Sequence, residues 1–79
     1  MYNIGKEPFI DNIVNIKELR SSLNMTQAEF SKSYGIPFRT VQNWEYGERK
    51  PDKTAQSYLK VIKKNPKLIK EMLEEYTEE

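Results

Sequence analysis

The sequence predicts an all-α domain of five short helices. Apolar residues recur at spacings of three and four along most of the chain, the mark of amphipathic helices with one buried face. Capping sequences and glycine or proline stops cut that pattern into short pieces. The length of 79 residues allows one domain with a small core.

Residues 1–11 hold a glycine, a proline and scattered polar residues without periodicity and read as a flexible N-terminal arm, with the domain itself spanning 12–79. Helix one, about 12–23, carries the stripe Ile13, Ile16, Leu19 and Leu23. Helix two, about 26–34, opens with Thr26-Gln27-Ala28-Glu29, in which threonine and glutamate cap each other's backbone amides. Met25 and Phe30 stand at the ends of the matching hydrophobic staple, and Phe30, Ser31 and Tyr34 form the inner face. Gly35 can take the left-handed conformation that stops a helix, and a sharp turn at Ile36 and Pro37 follows.

Helix three, about 37–46, ends at Gly47 and has two faces. Val41 and Trp44 point one way, with Glu45 beside them, while Phe38, Arg39, Gln42, Asn43 and Tyr46 point the other. Pro51 and Asp52 open helix four, about 52–64, with Ala55, Leu59 and Ile62 as its stripe and Tyr58 at the edge. Asn65-Pro66 is a cap and first-turn pair for helix five, about 66–77, whose apolar face is Leu68, Ile69, Met72, Leu73 and Tyr76. Lys67 and Lys70 near its start and glutamates near its end oppose its own dipole. Packing must therefore hold helix five, either against the chain's own core or against a second copy.

Composition removes most other functions. The chain has no cysteine and no histidine, and so no disulfide, thiolate, imidazole base or usual zinc-ligand set. The acidic residues cluster toward the C-terminus on a helical polar face, and a domain this small has little room for a deep pocket. No enzyme activity, cofactor or metal is expected. The N-terminus has no secretory pattern and no segment suits a bilayer, which predicts a cytoplasmic protein away from membranes. The net charge of +1 conceals an uneven distribution. Residues 1–38 are neutral, residues 39–70 carry nine basic against three acidic groups, and residues 71–79 hold five glutamates and no base.

A basic block with Arg, Gln and Asn on one helix face suits double-stranded DNA. The major groove is about 12 Å wide and admits one helix, with arginine reading guanine and asparagine or glutamine reading adenine. Arg39, Gln42 and Asn43 supply those groups, Phe38 could touch a thymine methyl, and Thr40 can donate to a phosphate.

The string 26-TQAEFSKSYGIPFRTVQNWEYGERKP-51 resembles the helix-turn-helix of the Cro and phage-repressor type, the xenobiotic-response-element (XRE) family. Gln27, Phe30, Ser31, Gly35, Ile36, Thr40, Val41, Trp44, Glu45 and Gly47 fall in register with its pattern. The resemblance implies a lambda-repressor-like fold and a sequence-specific repressor acting as a homodimer on a palindromic operator. It places Phe38, Arg39 and Asn43 at base-reading positions and Thr40, Gln42, Arg49 and Lys50 near the DNA backbone; of the helix-four lysines, Lys53 is the candidate phosphate ligand because it lies nearest the turn. Gln27 matches the glutamine that holds a phosphate and braces the first reading residue, so it touches both backbone and base. Arg20 and Glu45 match a partly buried salt bridge between helices one and three. Pro37 departs from the pattern, since Ser or Thr usually caps the reading helix there.

The segment 50-KPDKTAQSYLKVIKKNPKLIKEM-72 is similar to the end of antitoxins of the MqsA, HigA and NadS-like group. That similarity implies a repressor of its own operon that also neutralises a ribonuclease toxin. Other settings stay open: a phage or mobile-element repressor without a toxin, or a protein-binding adaptor of the same fold. Simpler roles stand beside the DNA contacts. Val41 and Trp44 read as core, Phe38 and Tyr46 could be edge hydrophobics, the helix-four lysines could be a solvated face, and the glutamate tail could serve solubility.

Overall fold

A computed structural model describes residues 13–76, and the expected N-terminal arm lies outside them. Among the described residues five helices follow one another: α1 Ile16–Ser22, α2 Gln27–Tyr34, α3 Phe38–Tyr46, α4 Lys53–Lys64 and α5 Pro66–Glu74. The all-α expectation holds. Boundaries follow the caps. Asn15 caps α1 by accepting from the Glu18 amide, Asp52 caps α4 through the Ala55 amide, and Asn65 caps α5 through the Leu68 amide. Thr26 and Glu29 form the full reciprocal box at the start of α2. Gly35 and Gly47 end α2 and α3 at φ of 66° and 81°.

Three expectations are corrected. The expected start of helix one at residue 12 falls outside the described residues, and Ile13, Val14 and Asn15 precede the helix. In that non-helical lead-in Ile13 is 66% exposed and Val14 only 7%, so Val14 replaces Ile13 in the core. Gln56 fixes this choice by accepting from the Val14 amide at 2.8 Å and donating to its carbonyl at 3.1 Å. Second, Pro37 is the N-cap of α3 and lies just outside it, so the helix starts at Phe38 with no side-chain cap. Third, α5 ends at Glu74 and splits its apolar face. Ile69 and Leu73 pack on the core, while Leu68, Met72 and Tyr76 remain exposed.

The core gathers Val14, Ile16, Leu19, Phe30, Tyr34, Ile36, Val41, Leu59 and Ile62. Met25 packs against it as the staple requires. Phe30 and Tyr34 meet as tilted rings with centroids 5.1 Å apart. Two tyrosine hydroxyls then tie α2 to the last two helices. Tyr58 donates to the Tyr34 carbonyl at 2.6 Å and Tyr34 donates to the Pro66 carbonyl at 3.0 Å. Burial raises the pKa of both phenols. Each hydroxyl therefore stays a donor.

Candidate nucleic-acid interface

The turn from α2 to α3 is held from inside. Ser31 Oγ donates to the Ile36 carbonyl at 2.6 Å, and the Ile36 amide returns to the Ser31 carbonyl at 3.2 Å. Ile36 and Val41 are buried on either side of Pro37, so the start of α3 is fixed by packing despite the missing cap. The opposite face is left free. Phe38 and Arg39 are exposed, and Thr40, Gln42 and Asn43 are half-buried at its edges.

Beyond α3 the chain folds back on the Asn43 carbonyl, which accepts from the amides of Glu48 at 2.9 Å and Arg49 at 3.3 Å. This turn carries Arg49 and Lys50 beside the helix. They share a shallow groove of about 570 Å³ with Thr40, Asn43, Trp44, Asp52 and Ala55. Four of the expected DNA-contacting residues, Thr40, Asn43, Arg49 and Lys50, thus line one concavity. Phe38, Arg39 and Gln42 lie on α3 without lining it, and Lys53 opens α4 nearby. Trp44, expected in the core, is half-buried and serves both sides, packing on the core and lining the groove.

Under this surface runs a polar chain. Arg20 donates from Nε to Glu45 Oε2 at 2.6 Å and from Nη2 to Oε1 at 2.9 Å, and its Nη1 donates to the Met25 carbonyl at 2.9 Å. Hydrogen bonding to Arg20 is the main cause that holds the Glu45 carboxyl below the usual carboxylate range, with burial opposing it and Gln27 assisting. The Arg20 guanidinium is raised in turn by its bonds to Glu45. The expected ion pair is present and joins α1 to α3.

Sequence reasoning missed where Gln27 leads. Its Nε2 donates to Glu45 Oε1 at 3.1 Å and sits 3.5 Å from the Tyr46 hydroxyl. A phosphate oxygen is an acceptor and needs a donor: Nε2 spends one N–H on Glu45, and its second, which meets the Tyr46 hydroxyl only at 3.5 Å, is the one a phosphate would take. Oε1 can accept from a base amino group or from Arg39. No local sequence signal exposes this, because Gln27 and Glu45 meet only through the packing of α2 on α3.

The fold and this surface have relatives. The helix-turn-helix family model (HTH_3) matches residues 16–69. A crystal structure of an HTH XRE-family like protein from Agrobacterium tumefaciens matches at a TM-score of 0.74 and 42% identity, over 75% of this chain and 95% of that one. Antitoxin HigA-2 of Vibrio cholerae is 31% identical over 64 residues, which are 81% of this chain and 59% of the antitoxin. Type II methyltransferase M.SsoII of Shigella sonnei is 49% identical over 45 residues, covering 52% of this chain but only 12% of the enzyme. The chain therefore spans less than two thirds of either curated relative. The family match runs from the start of α1 into α5, across the whole helix-turn-helix, and the chain belongs to the XRE-type helix-turn-helix family of DNA-binding regulators.

Proposed function

We propose that the protein is a sequence-specific repressor that binds double-stranded DNA as a dimer, with α3 in the major groove. The observation that carries this reading is the outer face of α3, which bears Arg39, Gln42 and Asn43, with Asn43 lining a groove together with Arg49 and Lys50. Arg39 and Asn43 read bases, with Phe38 against a thymine methyl or sugar and Gln27 bracing the start of α3. Thr40, Gln42, Arg49, Lys50 and Lys53 hold the backbone on either side. Two such units on a palindrome would read half-sites one helical turn apart, about 34–36 Å.

The biological setting we infer is autoregulation of a cytoplasmic toxin–antitoxin operon, supported by the similarity to antitoxin HigA-2 over 81% of this chain. Selection of binding sites from random DNA, followed by titration of the recovered site across salt concentrations, tests the repressor reading. A palindrome bound with a steep salt dependence is expected, and a flat response would sink it. Co-purification with a ribonuclease encoded next door tests the antitoxin role separately.

A further inference from the structure

A glutamine amide can sit in two orientations that exchange its oxygen and its nitrogen, and in water neither is preferred. At Gln27 one neighbour accepts only one of them. An ionised carboxylate takes hydrogen bonds and gives none, so the amide nitrogen must face Glu45 and the amide oxygen must face away. Reversed, the amide would set its oxygen against the Glu45 Oε1 that Nε2 now meets at 3.1 Å. Two acceptors there would repel.

The carboxylate cannot turn aside to admit the reversed amide. Arg20 holds its two oxygens at 2.6 and 2.9 Å and is itself tied to the Met25 carbonyl, and the Glu45 side chain is only 2% exposed. Hydrogen bonding to Arg20 also keeps it ionised at neutral pH. Both side-chain contacts of Gln27 leave from Nε2, and among the described residues no donor reaches its Oε1. We infer that Glu45 is a positioning residue for DNA recognition, which fixes the donor and acceptor ends of the Gln27 amide and so turns Oε1 out as an acceptor for a base amino group. In the major groove such groups belong to adenine and cytosine, so the fixed amide selects A or C over G or T at one position. The ion pair that joins α1 to α3 thereby also orients a reading side chain on α2. This inference deepens the repressor reading and rests on it.

The test compares binding to the selected site by the full wild-type chain, Gln27→Ala, Glu45→Gln and the double variant, at a temperature where circular dichroism shows all four folded. Glu45→Gln keeps the side-chain shape and can still accept from Arg20, but its amide can also donate, so Gln27 is no longer held one way. Each single change should weaken binding about three- to tenfold and relax the preference for A or C at the same base position. The double variant should bind as Gln27→Ala does. Losses that multiply would mean that Glu45 acts apart from Gln27, and would overturn the inference while sparing the repressor reading. Uniform loss across sequences for Gln27→Ala would overturn the base contact. A wild-type chain that selects no site overturns the repressor reading and this inference with it. One measurement needs no variant to fold: in the nitrogen-resolved NMR spectrum of the free wild-type chain, one proton of the Gln27 side-chain amide should lie well downfield of the other. Shifts like those of a free glutamine amide would overturn the positioning.

Discussion

Arg20 and Glu45 share a two-bond ion pair whose ends are unequally buried, the glutamate side chain 2% exposed and the arginine 16%. The asymmetry sets different costs for losing either partner. Arg20→Ala strands a carboxylate with little access to water and should cost about 3–5 kcal/mol. Glu45→Ala should cost less, because Arg20 keeps the Met25 carbonyl and some solvent. Urea unfolding of both variants checks this, and equal losses would refute the asymmetry.

The same pair predicts an acid limb. The folded Glu45 carboxyl is held below its ordinary value, chiefly by hydrogen bonds from Arg20, so on acidification the unfolded chain takes up its proton first. The stabilisation is complete above the unfolded value of about 4.3 and is lost as pH falls through the lower folded value. Urea midpoints should therefore drop below about pH 4, and Glu45→Gln should flatten that drop while lowering stability at neutral pH.

Pro37 offers a gain. It caps α3 without a side-chain bond, whereas serine there could accept from an amide of the first turn. The cap contributes about 0.5–2 kcal/mol, and losing proline's restriction of the unfolded chain removes about 0.4–1. Pro37→Ser should raise the thermal midpoint slightly. A fall would mean that the backbone at Pro37 cannot present the hydroxyl to α3.

Gln56 tests the lead-in segment. Its amide closes both bonds of Val14, so Gln56→Ala should leave a partly buried backbone pair unmet and cost roughly 1–3 kcal/mol. Hydrogen exchange at the Val14 amide should rise with it. Slow exchange in the variant would show that burial of Val14 alone holds the segment.

DNA contacts divide by kind under the proposed function. Arg39→Ala and Asn43→Ala should each cost about 1–3 kcal/mol on the selected site and relax one base position. Lys50→Ala should weaken all sequences alike and lower the salt slope by about one. Gln27→Ala separates its two roles: uniform loss favours phosphate holding, whereas loss confined to one base favours the acceptor role suggested by its bond to Glu45. Identical behaviour of Arg39 and Lys50 variants would defeat the division.

Much of the fold was legible because its signals are local. Thr26 with Glu29, Asn65 with Pro66, and glycines at 35 and 47 act within a turn of their own helix, and each stands in the structure where its spacing puts it. The two faces of α3 were readable in part: Val41 is buried and Phe38, Arg39 and Tyr46 are exposed, but Trp44 from the expected core face and Gln42 and Asn43 from the outer one are all half-buried. Ile13 misled because it continues the three-and-four spacing of α1, and periodicity cannot register that Asn15 starts the helix later.

By itself the sequence determined five short helices, a polar face on the third and a basic block beyond it, all properties of neighbouring residues and of helical period. Only the tertiary structure decided which of Ile13 and Val14 enters the core, where Gln27 spends its amide, and which half of the α5 face stays bare. Those outcomes depend on partners far along the chain, Gln56 for Val14, Glu45 for Gln27, and the core for Ile69 and Leu73. A hydrogen bond or buried contact across such separations exists only once the intervening helices have packed.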